Sequence, residues 1–245
     1  MSSPSLVVVD DYDALGRAGA DIVASVVRGK HDAALLVATG ETPMGVYREL
    51  ARRRERGAFD GSWLWVVQLD EYLGPSGDGR GPLLSWMLRS FVDPLAIPHE
   101  RVVTIPTDGD LEAGCIAFDR AVEEAGGIDL AILGLGTNGH LGFNEPPSGR
   151  TAPTRVVELT EETIRANARY AITSGTVPRR AVTAGMRTLL GARRTLLLAA
   201  GPSKHDVIHR ALEGPVTPDV PASFLREAPD VTVLVDRAAW EGSEA

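Results

Sequence analysis

Residues 129–148 read DLAILGLGTNGHLGFNEPPS, and this stretch predicts both the class of fold and the place of the functional site. Residues 128–134, which overlap the start of this stretch, have the largely apolar composition of a parallel strand that is buried on both faces. Gly134, Gly136 and Gly139 follow at once and let the backbone turn tightly and approach a ligand closely. We therefore expect a buried strand whose carboxyl end opens into a functional loop.

The same six residues, 134–139, match the dinucleotide fingerprint G-x-G-x-x-G, and Glu158 lies near the place of its ribose-binding acid. A dinucleotide site needs a helix that begins at the third glycine and points its N-terminus at the pyrophosphate. Here Pro146, Pro147 and Gly149 follow too closely for a helix of useful length. The pattern therefore favours a catalytic loop, and a nucleotide-dependent enzyme is the weaker alternative.

Around this loop, short apolar runs alternate with amphipathic segments, which is typical of an α/β fold. The predicted strands are residues 6–9, 33–38, 64–69, 102–105, 128–134, 195–200 and 231–235. The predicted helices include residues 14–27, 44–54, 83–91, 111–124 and 204–212. We expect one domain over residues 1–245, with a mostly parallel, Rossmann-like sheet and helices on both faces. Function should then concentrate in the loops that follow the strands.

Composition limits the possible partners. The 33 acidic residues outnumber the 25 Lys and Arg residues, giving a net charge of −8, and the one basic run, residues 52–56, reads RRRER at a helix end. Binding to a phosphate backbone needs clustered positive charge, so we predict no nucleic-acid partner. The single cysteine, Cys115, indicates a reducing compartment, and we predict a cytoplasmic protein without a membrane segment. The choice between a monomer and a homo-oligomer stays open.

Two of the predicted loops carry groups suited to a phosphate. Residues 39–43 read TGETP before a helix, whose N-terminus attracts anions, although Glu41 is unfavourable beside a phosphate unless its side chain points away. The alternative for this loop is a plain threonine cap. Lys204, one of two lysines beside 23 arginines, also begins a helix, where an ammonium group is unfavourable unless it shares an anion. Arg169 is the candidate for a second cation.

Two other loops carry groups suited to proton transfer. Asp70 ends a buried strand, where partial desolvation raises the pKa of a carboxyl group, and Glu71 follows it. Histidine is the usual proton carrier near neutral pH, and Glu145 could bond one ring nitrogen of His140 and fix its tautomer. The sequence lacks the His and Cys spacing of a zinc site, so we predict no metal.

Together these segments resemble the glucosamine-6-phosphate deaminase family, and the likeness runs from Ala33 to Asp236. The matching segments, in order, are TGxTP at 39–43 with Tyr47, LDEY at 69–72, NGHLGFNEP at 138–146, PAS at 221–223 and residues 231–236. The Asn144-Glu145-Pro146 sequence separates this family from the related 6-phosphogluconolactonases, whose histidine loop lacks the glutamate.

The resemblance implies a fold like that of ribose-5-phosphate isomerase and CoA transferase, and conversion of an amino-sugar phosphate, glucosamine 6-phosphate, to fructose 6-phosphate and ammonia. It implies no metal and no cofactor. The residues implied for catalysis are Asp70, Asn138, His140 and Glu145. Those implied for binding the small-molecule sugar phosphate are Thr39, Gly40, Glu41, Thr42, Glu71, Gly136, Gly139, Arg169 and Lys204.

The sequence departs from the family pattern at several positions. Many members have aspartate in place of Asn138, Glu41 replaces a small residue, and residues 82–84, PLL, replace a serine followed by tyrosine. Gly149 and Val157 replace polar residues of the allosteric site of hexameric relatives, which predicts no activation by N-acetylglucosamine 6-phosphate. A related sugar-phosphate lactonase or isomerase, and a non-catalytic sugar-phosphate sensor, remain the alternatives.

Overall fold

The computed structural model describes residues 3–74, 81–167 and 178–242, and a seven-stranded parallel sheet forms its centre. The described residues form ten strands: β1 (Ser5–Val9), β2 (Ala34–Val37), β3 (Trp65–Gln68), β4 (Asp70–Leu73), β5 (Val102–Val103), β6 (Leu130–Gly134), β7 (Arg155–Glu158), β8 (Arg180–Thr183), β9 (Thr195–Ala199) and β10 (Val231–Asp236). The central sheet has the order β1-β10-β9-β6-β2-β3-β5. All seven predicted strands are confirmed.

Helices cover both faces of this sheet, as predicted. The α-helices are α1 (Tyr12–Gly29), α2 (Met44–Glu55), α3 (Pro82–Met87), α4 (Leu111–Glu124), α5 (Glu161–Asn167), α6 (Met186–Leu190), α7 (His205–Glu213) and α8 (Arg237–Glu241). Successive strand residues point to opposite faces. In β2, Leu35 and Val37 therefore join the core beneath α1 and α2, whereas Leu36 joins the core beneath α4 and α7.

Three strands that the sequence did not predict form a second, antiparallel sheet in the order β4-β8-β7. Each is only four residues long, and β4 reads Asp-Glu-Tyr-Leu, which has no apolar run to indicate a strand. The prediction that Asp70–Tyr72 form a loop after the strand at 64–69 is therefore wrong, because β4 begins at Asp70, two residues after β3 ends. The helix expected at 83–91 also differs, since α3 passes into a π-helical turn at Leu88–Val92.

The topology places the functional loops at one edge of the central sheet. Strands β2 and β6 are neighbours, but the chain goes from β2 toward β3 and from β6 toward β9, on opposite sides. Parallel sheets bind ligands at such a switch point, beyond the carboxyl ends of the strands. No helix among the residues described is long and apolar enough to cross a membrane.

Candidate active site

A cavity of about 460 Å³ opens at the switch point between β2 and β6. All four predicted loops contribute to its wall, and so does the second sheet. Of the predicted site residues, the cavity is lined by Thr39, Gly40, Glu41, Thr42, Asp70, Gly136, His140 and Lys204. Residues more than a hundred positions apart in the chain are thus brought to one cleft.

Asp70 is the buried carboxylate of this cleft. Its side chain is 5% exposed, and its Oδ1 atom has no hydrogen-bond partner among the described residues. Burial, followed by the charge of Glu71, raises the pKa of Asp70 to about 8. The expected direction of the shift is therefore confirmed, and the residue titrates in the range in which a general base is effective.

Glu71 does not line the cavity, and its expected contact with substrate is corrected. Neighbouring residues of a strand face opposite sides, so Asp70 and Tyr72 face the cavity and Glu71 faces away. The carboxylate of Glu71 accepts hydrogen bonds from the backbone N–H groups of Tyr72 (2.8 Å), Leu83 (3.1 Å) and Leu84 (2.7 Å). Glu71 therefore holds the first turn of α3 against β4.

Gly81 makes room for this carboxylate. A Cβ atom at Gly81 would lie 2.0 Å from Cδ of Glu71, although the backbone there (φ −63°, ψ 151°) suits any residue. We expect Gly81→Ala to displace Glu71 and lower the free energy of unfolding by about 1–3 kcal/mol for each buried polar group that loses its partner. Thermal unfolding would measure this loss.

The matched control for Gly81→Ala is Gly149→Ala, because a Cβ at Gly149 meets nothing within 4 Å. An unchanged melting temperature in Gly81→Ala would show that Glu71 is not held as described.

The side chains of His140, Asn138 and Glu145 form a hydrogen-bonded relay in which Asn138 is the central member. Nδ1 of His140 lies 2.8 Å from Oδ1 of Asn138, and Nδ2 of Asn138 donates to Oε2 of Glu145 at 2.7 Å. The direct contact from Nδ1 of His140 to Glu145 is 3.6 Å, too long for a hydrogen bond. The expected direct hydrogen bond between His140 and Glu145 is therefore not formed, and Asn138 connects the two side chains instead.

This arrangement fixes the tautomer of the imidazole. Because the amide nitrogen of Asn138 donates to Glu145, its oxygen faces His140 and can only accept. Nδ1 of His140 must then carry the proton, which leaves Nε2 as the basic nitrogen. Although burial alone would raise the pKa of Glu145, the imidazole and the donors Thr163 and Asn138 lower it to about 2, so this carboxylate is ionised.

Two of the glycines in this loop have different packing roles. A Cβ atom at Gly136 would lie 2.3 Å from the ring of His140, so this glycine provides the space that the imidazole occupies. Gly139 has a φ of +91° and packs against Val220, where a Cβ would approach Cγ1 to 2.8 Å. Gly139 does not line the cavity, and its expected contact with substrate is replaced by a role in the turn.

The loop at residues 39–43 also lines the cavity and lies directly before α2. Gly40 has a φ of +112°, which favours glycine, and no side chain among the described residues caps α2, so the plain threonine cap is not what forms. The hydroxyl of Tyr12 donates to the carbonyl of Glu41 (2.6 Å) and accepts from the N–H of Gly45 (2.9 Å). Tyr12 thereby fixes the loop to α1.

Lys204 ends a 3-10 turn, Pro202–Lys204, directly before α7, and lines the same cavity. The other predicted cation, Arg169, lies outside the described residues. Among the part of the chain that the structure describes, no group of three or more His, Cys, Asp or Glu side chains is placed to hold a metal ion.

Several cavity residues were not predicted as site residues. They are Tyr72, Leu83, Trp86, Phe143, Thr163 and Ser203. Tyr72 and Phe143 belong to the LDEY and NGHLGFNEP motifs, and the centroids of their rings lie 5.2 Å apart. Thr163 stands on α5, a short helix that the sequence did not predict, whereas Trp86 lies in a predicted helix; no signal in the chain pointed to either side chain as part of the site.

Comparison with known proteins agrees with this geometry. A family model described as glucosamine-6-phosphate isomerases/6-phosphogluconolactonase matches residues 11–234. The glucosamine-6-phosphate deaminase of Thermoanaerobacter pseudethanolicus is 39% identical over 96% of this chain and 93% of its own. The glucosamine-6-phosphate deaminase of Lachnoclostridium phytofermentans is 41% identical over 91% of this chain and 95% of its own.

The solved structures include a monomeric glucosamine-6-phosphate deaminase with a TM-score of 0.90 and 38% identity, over 96% of this chain and 98% of that one. A 6-phosphogluconolactonase from Leishmania guyanensis has a TM-score of 0.74 over the whole of both chains, but at 20% identity it shows the fold alone. By sequence and by structure, the chain belongs to the glucosamine-6-phosphate isomerase/6-phosphogluconolactonase family.

Proposed function

We propose that this chain is a single-domain glucosamine-6-phosphate deaminase, which converts glucosamine 6-phosphate and water to fructose 6-phosphate and ammonia. The observation that carries the proposal is the meeting, in one cavity, of a buried carboxyl group with a pKa of about 8 and an imidazole whose tautomer is fixed. An aldose–ketose isomerisation needs these two proton carriers. The curated relatives with this activity match almost the full length of the chain.

The roles follow from the protonation states. Nε2 of His140 would take the proton from the C1 hydroxyl and pass it to the ring oxygen, so that the C1–O5 bond breaks and the aldehyde forms. Asp70, once ionised, would take the proton from C2 and return it to C1. The nitrogen at C2 then forms an iminium group, water adds to that carbon, and ammonia leaves. Glu145 and Asn138 would stabilise the charged imidazole while the ring opens.

The phosphate of the substrate would bind at residues 39–42 and Lys204, which line the same cavity as His140. A helix N-terminus and an ammonium group both favour an anion there. Binding energy from this non-reacting end would place C2 against Asp70. Arg169 would add a second cation. A cytoplasmic location agrees with a phosphorylated substrate and a single cysteine.

A coupled assay tests the proposal. We expect the purified protein to release ammonia and fructose 6-phosphate in equal amounts from glucosamine 6-phosphate, and to release ammonia more slowly from the galactosamine isomer. Hydrolysis of 6-phosphogluconolactone without ammonia release from either amino sugar would favour the lactonase alternative. Binding of the sugar phosphate without any turnover would favour a sensor.

We also expect a hyperbolic rate curve that N-acetylglucosamine 6-phosphate leaves unchanged. Val157 and Gly149 offer that compound no polar side chain, and Arg155 is held by Asn144 (2.8 Å) and Ser148 (3.0 Å). Initial rates over a range of substrate concentrations, with and without the compound, would measure this. A sigmoidal curve that becomes hyperbolic on its addition would contradict the prediction.

A further inference from the structure

The first turn of α5 and the residue before it contact Glu145, the last member of the hydrogen-bonded relay. The hydroxyl of Thr163, a residue only 3% exposed, donates to Oε1 of Glu145. The hydroxyl of Thr160 lies 3.4 Å from the same oxygen and accepts the backbone N–H of Thr163 at 3.2 Å. Asn138 binds the other oxygen, Oε2. The carboxylate is therefore held on one side by the catalytic loop and on the other by α5.

Contacts to both oxygens of the Glu145 carboxylate limit its rotation. The terminal torsion of a glutamate side chain has a broad minimum, so a carboxylate held through one oxygen alone can rotate. Rotation of Glu145 would move the acceptor of the Asn138 amide, and the amide oxygen is what orients the imidazole of His140. A hydrogen bond from a hydroxyl to an ionised carboxylate is among the stronger ones in proteins and can prevent this rotation.

We propose that Thr163 is a positioning residue of the reaction, which fixes the imidazole of His140 for proton transfer by holding Glu145 and, through it, Asn138. This inference rests on the proposed function, because it assigns Thr163 to the same ring-opening step. Thr163 also lies on the cavity wall, so the test must separate an effect through Glu145 from a direct contact with substrate.

The first experiment compares Thr163→Val, which keeps the shape and removes the hydroxyl, with Thr163→Ser, which keeps the hydroxyl. Since one charge-assisted hydrogen bond is lost, we expect Thr163→Val to lower kcat about tenfold and leave KM within about threefold. Thr163→Ser should stay within about threefold of the wild type in both constants. A raised KM with unchanged kcat would overturn the inference, as would full activity in Thr163→Val.

Thr195→Val is the matched control. Thr195 is also a buried threonine, but it begins β9 at the far end of the sheet, and its hydroxyl has no partner among the described residues. We expect this variant to keep the wild-type kcat and KM. Should Thr163→Val fail to fold, Thr163→Ala gives the same comparison without the branched side chain.

A double-mutant cycle with Glu145→Gln tests the route of the effect. If Thr163 acts through the carboxylate, Thr163→Val should cost about tenfold in the wild-type background and almost nothing beside Glu145→Gln. Equal costs in both backgrounds would overturn the inference. A second measurement needs no turnover: the nitrogen chemical shifts of the His140 imidazole should change in Thr163→Val, and unchanged shifts would also overturn it.

Failure of the proposed function would look different. A wild-type protein that releases no ammonia contradicts the deaminase assignment, whatever the variants do. A wild-type protein that releases ammonia, together with a fully active Thr163→Val, contradicts the role of Thr163 alone.

Discussion

Replacing Asp70 by Asn is expected to lower kcat by about 10²- to 10⁴-fold, the range that a positioned general base contributes. The amide cannot take the proton from C2, whereas Lys204 and residues 39–42, the groups proposed to bind the phosphate, lie on other elements and are unchanged. Steady-state kinetics would measure the loss. Protection against thermal unfolding by inorganic phosphate should be the same in both proteins and serves as the control. Undiminished turnover in the variant would refute the role assigned to Asp70.

The same carboxyl group should set the pH dependence of activity. The base works only when it is ionised, so the kcat/KM of the wild type should rise with pH and level off above about 8, the pKa that burial gives Asp70. A plateau already reached at pH 6 would contradict this assignment. Rates of ammonia release measured from about pH 6 to about pH 9.5 would locate the pH at which kcat/KM stops rising.

The raised pKa of Asp70 also leads us to expect a pH-dependent difference in stability between the wild type and Asp70→Asn. A carboxyl group whose pKa is raised by folding binds its proton more tightly in the folded state than in the unfolded one, where the pKa is about 3.9. Its stabilising protonation is complete below about pH 4 and is lost as pH rises toward about 8. Melting temperatures of Asp70→Asn and wild type should therefore separate in favour of the variant across this window.

The sequence predicted the central sheet well because its strands are long apolar runs between helices with clear amphipathic patterns. It missed the small sheet, since β4, β7 and β8 are four residues each and none has more than two apolar residues in a row. That omission led to the error at Glu71. Only a strand, with its alternation of faces, places Asp70 and Tyr72 in the cavity while turning Glu71 toward α3.

The relay illustrates a second limit. His140, Asn138 and Glu145 could be selected from their chemistry and from the resemblance to a family, but the order of their contacts depends on one amide orientation. Nothing in the spacing indicates that Asn138 lies between the other two. Likewise Thr163 is brought to Glu145 by the way α5 packs, which is a tertiary contact between residues 18 positions apart.

Gly136→Ala is expected to have an effect almost as large as that of Asp70→Asn, without changing any reacting group. The added Cβ would lie about 2.3 Å from three atoms of the His140 ring, a distance that atoms in proteins do not adopt, so the imidazole must move. Displacement would break its 2.8 Å contact with Asn138, which sets the tautomer. Since a misplacement of about 1 Å can cost 10²-fold, we expect kcat to fall by about that factor.

The same loop offers a matched control in Gly134→Ala. Gly134 also lines the cavity, but a Cβ there meets nothing within 4 Å, so the change adds the same methyl group without touching the imidazole. We expect a much smaller loss of kcat in this variant, and a nearly unchanged KM in both, because the phosphate contacts lie on other loops. Equal losses in the two variants would mean that the loop backbone, and not the space for the ring, limits the reaction. Only a selective loss in Gly136→Ala supports the assignment of this glycine to the imidazole.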